Sequence, residues 1–418
     1  MTATNVYDCA IIGGGPAGST AAMVLARAGA KVVVLERERF PRFHIGESLL
    51  PLNRELFQRL GLEPVLEKHG FVKKFGAQFV SNDGDVERAF DFVQGGLGED
   101  ALAYEVERDV FDEALLRHAQ SLGAEVREGT SVLDVQGTTL RTREGAVEAK
   151  WIIDASGQGA ILAKIHDLRI KHPSHNKIAV FSRWKGATRR EGRKAGNIDI
   201  VLGERGWFWL IPLRDDVLSV GWVASTDEWK ASGLSAEEFF AKGLAASPYV
   251  TGRLKPATRL DETWTASNYS YSSKKLSGPG YTLVGDAAEF LDPIFSTGVL
   301  IAMRSGERAG EDLARALKSG RPLEPSIFDG YEKVFRQWTR NHFAMVDAYY
   351  EPGFAPVFLT PKNTFGVVKA VIGLLAGRSE PSWLDRWRLK FFYWLCRLNQ
   401  KHRFIKDPRS TKAAVPHA

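Results

Sequence analysis

The first forty residues show the hydrophobic pattern of a strand, a helix and a second strand. The apolar run Tyr7–Ile12 predicts a strand, Ser19–Ala28 carries helix-forming residues, and Lys31–Glu36 predicts a strand that ends in an acid. Between the first strand and the helix lies the turn Gly13–Gly18, with the sequence Gly-Gly-Gly-Pro-Ala-Gly. The region is therefore expected to form the beginning of a mainly parallel sheet.

The middle of the chain has a different period. Apolar and polar residues alternate in Ala179–Trp184 and Leu218–Val223, which predicts half-buried antiparallel strands of an inserted sheet. The apolar run Tyr281–Ala288, which contains Gly-Asp, predicts a return to the first region, and Gly298–Leu317 predicts a helix. After about Ser326 the chain is expected to be helical and rich in aromatic residues.

The glycine turn has the spacing of a dinucleotide-binding fingerprint. Gly13 suits the tight turn, Gly15 allows a pyrophosphate to approach the backbone, and Gly18 lets the helix pack closely on the strand. Glu36 follows at the distance where a carboxylate can accept hydrogen bonds from a ribose hydroxyl. The turn, its flanks and the acid together predict a nucleotide site.

Composition narrows the class of protein. The 418 residues are 44% hydrophobic and 25% charged, as in globular proteins, and the length favours two structural regions. Cys9 and Cys396 lie far apart, which supports neither a disulfide framework nor a metal site and favours a reducing, cytoplasmic setting. With 56 basic and 50 acidic residues, no nucleic-acid partner is expected, and the broken apolar stretch Phe365–Gly377 is too short for a transmembrane helix.

Further motifs resemble those of the flavoprotein monooxygenase superfamily, which binds FAD. They are the VxRxxFD segment Val106–Asp112, the turn Asp154–Gly157 and the pair Gly285–Asp286, together with the glycine turn and Glu36. The resemblance implies that Arg108 lies beside the flavin pyrophosphate and ribityl region, and that Asp286 binds the ribityl chain. The full set of FAD-binding residues that it implies is Gly13, Gly15, Pro16, Ala17, Gly18, Glu36, Arg37, Glu47, Ser48, Arg108, Asp154, Gly157 and Asp286.

The expected fold is therefore α/β: a Rossmann-like FAD-binding domain with an inserted antiparallel β-sheet domain on the substrate side and a helical C-terminal region. The expected segments are residues 1–80, 101–175 and 278–325 for the FAD-binding domain, 81–100 and 176–277 for the substrate-side strands, and 326–418 for the helical region, as a lid or docking surface.

Three segments look like those of the flavin-dependent halogenases within this superfamily: Phe40–Pro51 with GESLLP, Gly206–Pro212 with WxWxIP, and Phe290–Gly298. A glycine-containing loop at a helix N-terminus offers unpaired N–H groups, so the resemblance implies halide binding near Ser296, Thr297 and Gly298. It also implies an active-site wall made by Trp207, Trp209, Ile211, Pro212 and Phe295. Geranylgeranyl reductases carry a similar tryptophan motif.

A lysine completes the resemblance. In the segment Gly70–Phe79, Lys74 occupies the place of the halogenases' catalytic lysine, and Lys73 is the neighbour to exclude. The resemblance implies that reduced FAD, O2 and chloride or bromide give hypohalous acid, which Lys74 directs onto an aromatic substrate. Burial lowers a lysine pKa, so Lys74 could act as a proton donor or as the amine that carries the halogen.

Two features bear on partners and substrate. No second glycine fingerprint follows a later strand, so a separate flavin reductase is expected to supply reduced FAD. Tryptophan halogenases carry a glutamate immediately before the serine, where this chain has Phe295. An electron-rich phenol or pyrrole, free or tethered to an acyl or peptidyl carrier protein, is therefore favoured over free tryptophan.

Two questions stay open at the level of sequence. The aromatic, basic segment Trp383–Leu395 fits a helix on a membrane surface, a docking face for an acidic partner, or a helix packed on the protein body. The competing functions are an FAD-dependent prenyl reductase, an aromatic hydroxylase that needs no halide, and a flavoprotein that binds a partner without turnover.

Overall fold

The structure is a computed structural model that describes residues 6–203, 205–290, 292–360 and 364–408, except for the side chains of residues 173–175 and 267–269. The chain forms two compact units and passes several times between them. The first unit contains residues up to Gly70 and the stretches Val106–Pro173 and Ser270–Thr339. The second contains Phe71–Glu105, Ser174–Tyr269 and the chain from Arg340 onward.

A mainly parallel sheet forms the core of the first unit. Its strand order is β18-β19-β11-β1-β2-β7, and only the β18–β19 pair is antiparallel. The valines and isoleucines of the central strands are buried, as in sheets covered on both faces. The strands are β1 (Cys9–Ile12), β2 (Val32–Glu36), β7 (Glu125–Glu128), β11 (Ile152–Asp154), β18 (Ser277–Gly278) and β19 (Tyr281–Leu283).

Helices and short strands complete this unit. The helices are α1 (Pro16–Arg27), α2 (Asn53–Arg59), α3 (Glu63–Glu67), α4 (Arg108–Ser121), α5 (Ile161–Ile165), α9 (Gly298–Ser319) and the first half of α10 (Asp329–Tyr350). The strands β8 (Asp134–Gln136), β9 (Thr139–Thr142) and β10 (Gly145–Glu148) form a small antiparallel sheet.

Close packing of α1 on α9 depends on small residues. A Cβ at Gly306 would collide with the carbonyl oxygen of Ala17, and one at Gly310 would lie 3.1 Å from the Cβ of Val24. Both glycines lie on α9, one helical turn apart, so the two backbones can approach along a stripe without side chains. This contact holds the N-terminal ends of two helices within the same unit.

The second unit is built on a large sheet in which β4 and β13 run parallel and the other neighbouring pairs with a resolved register run antiparallel. Its strands are β4 (Gly76–Ser81), β5 (Glu87–Asp91), β12 (Arg169–Lys185), β13 (Ile198–Leu202), β14 (Gly206–Pro212), β15 (Val217–Ser225), β16 (Thr258–Arg259) and β17 (Trp264–Ser273). The end of β17 at Tyr271 and Ser272 belongs to the first unit, where it pairs with β20 (Glu289–Phe290). A separate pair joins β3 (Val72–Lys74) to β6 (Ala103–Glu105).

The two faces of this sheet bury different side chains. One face packs Phe208, Leu210 and Trp222 against Phe239 and Phe240 in a single hydrophobic cluster. Three helices lie in this part of the chain: α6 (Thr226–Ser232), α7 (Ala236–Ala245) and α8 (Pro248–Leu254). Because side chains alternate along a strand, the neighbours of Phe208 and Leu210 on β14 point to the opposite face.

Helices of the C-terminal region pack within the second unit. They are the end of α10, α11 (Phe354–Leu359), α12 (Val367–Leu375) and α13 (Trp383–His402). Phe358 of α11 lies 4.7 Å from Phe79 and 4.6 Å from Phe90, measured between ring centroids. Phe354 in turn lies 5.6 Å from Phe392 of α13. The region therefore completes a hydrophobic core on the sheet.

The structure confirms the predicted fold class, a Rossmann-like α/β region with an inserted antiparallel sheet and C-terminal helices. The expected boundary after residue 80 falls within β4, because the pairing of β4 with β13 joins residues 76–81 to the large sheet. Among the helices that the structure describes, none is both long enough and apolar enough to cross a membrane.

Candidate functional site

The glycine turn joins β1 to the N-terminus of α1. The side chain of Glu36, at the end of β2, forms a hydrogen bond with the backbone of this turn. Gly13 has a φ of +101°, and a Cβ there would lie 2.5 Å from the carbonyl oxygen of Ala155. The Glu36 carboxylate is buried and accepts hydrogen bonds from the backbone N–H of Gly14 (2.7 Å) and of Glu38 (3.0 Å). A carboxylate oxygen can accept more than one hydrogen bond, so both oxygens can still accept from a ribose.

An arginine lies at the mouth of this turn and fits a diphosphate. A Cβ built at Gly15 would meet a single neighbour within 4 Å, the Arg42 Nη2 at 3.4 Å. Arg42 Nη2 pairs with Asp112 at 3.2 Å, whereas its buried Nη1 has no hydrogen-bond partner within the described part of the chain. The open space at Gly15, the N-terminus of α1 and an orphaned guanidinium nitrogen together suit the pyrophosphate of FAD.

Three charged side chains of the flavin motifs come together around Arg108, the first residue of α4. Arg108 binds both carboxylate oxygens of Asp112, at 2.7 and 2.9 Å, and donates to the carbonyl oxygen of Ile45 at 2.8 Å. It also interacts electrostatically with Asp286 and Glu47. Burial raises the pKa of Asp286 to about 6, although the positive charge of Arg108 opposes this rise.

The remaining predicted FAD residues all belong to the first unit. Pro16 and Ala17 begin α1, and Gly18 cannot carry a Cβ because it would collide with the carbonyl oxygen of Gly13. Asp154 is buried and accepts from the backbone N–H groups of Ser156 and Leu162, so its carboxylate holds the loop after β11. The other three are Ser48, which is buried, Arg37, which is exposed, and Gly157, which has a φ of +60°.

The predicted halide loop leads into the N-terminus of α9. Ser296 has a φ of +57°, Thr297 is the buried residue before the helix, and Gly298 is exposed, with no atom within 4 Å of the place where a Cβ would lie. The first amides of a helix have no intrahelical acceptor, so the backbone here offers donors to open space. Phe295 is buried beside them, and Leu291 of the same motif lies outside the described residues.

Lys74 and Lys73 differ sharply in their surroundings. Lys74 lies at the end of β3 with only 2% of its surface exposed, whereas Lys73 points to the opposite side and is exposed. Lys74 Nζ lies 5.5 Å from the ring centre of Phe92. Burial lowers the pKa of Lys74, and the negative charge of Glu105 on the paired strand β6 opposes this. Strand alternation therefore singles out Lys74.

The WxWxIP motif forms strand β14, and all of its named residues are buried. The indoles of Trp207 and Trp209 lie 6.1 Å apart between ring centres. Trp209 Nε1 donates to Ser219 Oγ at 3.2 Å, and Trp207 Nε1 donates to the hydroxyl oxygen of Tyr350 at 3.3 Å. Ile211 shares the face of the two indoles, whereas Pro212 ends the strand on the opposite face.

Sequence reasoning missed several residues that the structure brings to these sites. Arg42 lies within the Phe40–Pro51 segment, where it is the third arginine after Glu36, and nothing in the sequence distinguished it from Arg37 and Arg39. Asp112 belongs to the VxRxxFD motif itself, four residues after Arg108 on the same helix. Glu105 and Tyr350 carried no signal, because strand pairing and helix packing bring them to Lys74 and Trp207.

A family model described as an FAD binding domain matches residues 6–340. Among curated proteins, the chain is 34% identical to the 1H-pyrrole-2-carbonyl-(peptidyl-carrier protein) chlorinase of Pseudomonas fluorescens, covering 91% of this chain and 92% of that one. It is 35% identical to the tryptophan 2-halogenase of Chondromyces crocatus, over 82% of this chain and 67% of that one.

Solved structures show the same likeness. The flavin-dependent brominase Bmp2 superposes with a TM-score of 0.83 at 28% identity, covering 94% of this chain and all of the other. The myxobacterial chondrochloren halogenase CndH, described as a variant of FAD-dependent halogenases, superposes with a TM-score of 0.77 at 30% identity, over 93% of this chain and 97% of that one.

Proposed function

Because the chain belongs to the flavin-dependent halogenases, which are oxidoreductases that use FAD, we propose that it halogenates an electron-rich phenol or pyrrole with Lys74 as its catalytic residue. The relatives are halogenases, so the prenyl reductase and hydroxylase alternatives are not favoured. The further elements of the proposal are chloride or bromide as the halide, O2 as the oxidant, and a separate flavin reductase as the source of reduced FAD.

The observation that carries the role of Lys74 is its burial beside an acid. Lys74 is removed from water and experiences the negative charge of Glu105. Burial lowers the pKa of Lys74, and the charge of Glu105 raises it. We assign the protonated form the reactive role: Nζ–H donates a hydrogen bond to the oxygen of hypohalous acid and so makes its halogen more electrophilic. Exposed Lys73 cannot exclude water from such an oxidant.

Reduced FAD, when bound, supplies with O2 the oxidising equivalents that convert a halide into hypohalous acid. When FAD binds, the turn at Gly13–Gly18 and Arg42 would hold its diphosphate, Glu36 would accept hydrogen bonds from its ribose, and Asp286 and Arg108 would bind its ribityl region. The loop Ser296–Gly298 binds the halide through N–H groups at the positive end of α9, which favour an anion. The N–H of Ser296 itself already donates to the carbonyl oxygen of Pro293 at 2.9 Å, so Thr297 and Gly298 supply the donors.

The aromatic face of β14 excludes water from the reaction. Trp207 and Trp209 are buried, and their indole N–H groups already donate to Tyr350 and Ser219, so neither indole N–H needs a water molecule. Ile211 lies on the same face of β14 and adds further buried apolar surface, whereas buried Pro212 closes the strand on its other face. A wall that excludes water protects hypohalous acid from reaction with bulk water, so that the oxidant can reach Lys74 and form a hydrogen bond there.

The substrate class follows from two observations. Phe295 stands where an acid is expected for free tryptophan, and an apolar side chain cannot accept a proton during ring substitution. The chlorinase relative acts on a pyrrole held by a peptidyl carrier protein. A pyrrole or phenol, presented on a carrier or free, therefore fits best, and the tryptophan 2-halogenase relative makes tryptophan the comparison substrate.

The test is a mass spectrum of products formed with FAD, a flavin reductase, NADH, O2 and either halide. Lys74→Ala should bind FAD with unchanged affinity and lose product by about 100-fold or more, since it removes a proton donor at the reacting atom. The matched control is Lys73→Ala, next along the strand but exposed, which should keep wild-type yield.

Two outcomes would contradict the proposal. Equal losses in both lysine variants would assign the effect to strand β3 rather than to a catalytic amine. An oxygenated or reduced product that forms without halide would remove the halogenase chemistry itself. Offering free pyrrole, free phenol, tryptophan and carrier-bound pyrrole side by side identifies the substrate, because the halogen isotope pattern marks the form that reacts.

A further inference from the structure

The outward face of helix α13 is an exposed row of aromatic side chains. Trp383, Trp387 and Trp394 expose 74%, 47% and 52% of their surface. Leu389, Phe392 and Cys396 are buried on the inner side. Successive helix positions rotate by about 100°, so the three tryptophans fall within about 40° of one another, opposite the buried side. This row is called the tryptophan face.

Ring contacts make this face continuous. Phe391 stacks between Trp387 and Trp394, with ring centres 5.7 and 5.6 Å away. Phe365, which is 66% exposed, meets both Trp387 and Phe391 edge-on at 6.1 Å. A rise of about 1.5 Å per residue gives the tryptophans a straight line of about 16 Å. All three can therefore reach one plane that lies along the helix.

The exposed charged side chains that α13 itself places beside the tryptophan face are positive. Arg386, Lys390, Arg397 and Lys401 are all exposed on α13. Asp385, the sole acid of the helix, is buried and accepts from Arg388 at 2.9 Å and from Ser382 at 2.9 Å, so it adds no negative charge outward. The surroundings of the aromatic row thus complement a negatively charged surface.

We propose that α13 attaches this enzyme to the surface of an anionic lipid bilayer, with the tryptophan face in the interfacial region and the basic side chains among the headgroups. Tryptophan prefers that region because its ring is apolar and its N–H is polar, and lysine and arginine extend their charges to the headgroups. The three tryptophans lie in one straight row along the helix, so their rings can enter the flat interfacial layer at the same depth.

The test measures binding to phosphatidylcholine–phosphatidylglycerol vesicles and to vesicles of phosphatidylcholine alone, by co-sedimentation of the full-length enzyme. The wild type should bind the anionic vesicles and release at high salt. In the tryptophan variant, Trp383, Trp387 and Trp394 are all changed to alanine. Its partition coefficient for the anionic vesicles should fall by at least about tenfold. Changing Arg386, Lys390 and Arg397 to glutamine should lower the same partition coefficient about fivefold for each charge removed.

A matched control removes three exposed apolar side chains elsewhere, by Leu133→Ala, Ile165→Ala and Ile170→Ala. This control should partition as the wild type does. Both apolar variants should keep FAD absorbance and turnover of a free substrate, because none of the altered residues belongs to the proposed site. The vesicle experiment therefore succeeds or fails independently of the halogenase proposal.

Four results would overturn the proposal. They are absence of binding to any vesicle, equal binding to neutral and anionic vesicles, an equal loss in the control variant, and a loss in the tryptophan variant of turnover on carrier-bound substrate alone, which would make α13 a carrier dock. A fifth result would also overturn it: if the wild type is a dimer by light scattering and the tryptophan variant is a monomer with unchanged vesicle binding, the face belongs to a second copy of the chain.

Discussion

The positions of Lys74 and Glu105 on paired strands determine how strongly the carboxylate stabilises the charged form of the lysine. Val72 lies opposite Glu105 and Lys74 lies opposite Ala103, so the two charged side chains share one face of the β3–β6 pair. Burial favours a neutral lysine, whereas the carboxylate favours the ammonium form. Glu105 is therefore expected to act as a positioning residue that keeps Lys74 protonated during turnover.

Replacing Glu105 with glutamine should move the basic limb of the kcat–pH profile to lower pH. Burial already holds the pKa of Lys74 below its usual 10.5, and loss of the Glu105 carboxylate removes the charge that opposes this, so we expect the pKa to fall further. Glu105→Asp should restore the limb in part, and exposed Glu99→Gln is the control. A basic limb that stays in place would show that Glu105 has no influence on the lysine.

Asp286 should reduce the stability of the protein without FAD. Its pKa rises from 3.8 to about 6 on folding, so the folded state binds more protons than the unfolded state between these values. Stability is therefore lost as pH rises through this window, by up to about 3 kcal/mol above it. Asp286→Asn should raise the Tm of the FAD-free protein at pH 7, leave it unchanged below pH 3.8, and weaken FAD binding.

Thermal unfolding of the FAD-free protein across pH, with FAD titrations at pH 7, checks this expectation. A Tm that falls at neutral pH in the Asn variant would mean that the charged carboxylate is favourable where it lies. Unchanged FAD affinity would separate Asp286 from the ribityl chain.

At the scale of elements, the N-terminus of α9 is expected to bind a halide less tightly when a negative charge is introduced beside it. Gly298→Asp places a carboxylate where the halide is proposed to bind, and the open space around Gly298 accommodates its Cβ. The helix dipole should keep the fold as stable or add about 0.3–1 kcal/mol. The halide KM should rise by about tenfold or more through repulsion.

Gly298→Asn is the neutral control of the same shape, and it should change the halide KM far less. Steady-state turnover against chloride and bromide measures both variants, with FAD affinity as the reference. Equal KM values for the two variants would place the halide away from this loop.

The sequence predicts elements well where one local pattern decides them. The glycine turn, the pattern of β1–α1–β2 and the alternation in β12 and β15 each specify their element, and the structure has them where the pattern predicts. The predicted start of α1 at Ser19 is three residues late, because proline suits the first helical position and Pro16 begins the helix rather than extending the turn. The distinction between Lys73 and Lys74 also follows from strand alternation once β3 is known.

At the scale of the whole molecule, the C-terminal region carries part of the core. Phe358→Ala should lower the free energy of unfolding by about 3–5 kcal/mol, because its ring is 2% exposed and packs on Phe79 and Phe90. Phe365→Ala, at a ring that is 66% exposed, should change it little. Denaturant unfolding measures both, and similar values for the two variants would contradict the packing role of α11.

Long-range relations are what the sequence could not supply. Residues 71–80 follow the first sheet in sequence yet belong to the second unit, because β4 pairs with β13 more than a hundred residues later. Tyr350 reaches Trp207, and Arg42 reaches Asp112, through tertiary packing alone. Family resemblance supplied the roles of Lys74 and Asp286, and no periodicity in the chain would have found them.

The repeated passage of the chain between the two units has a consequence for its synthesis. The first unit needs β1 at one end and β19 and α9 near residues 281–319, so a ribosome must complete most of the chain before that unit can close. The second unit waits longer, since α11 and α13 come last. Apolar strands therefore stay exposed on the nascent chain for much of translation, and slow elongation at low temperature should favour soluble yield over aggregation.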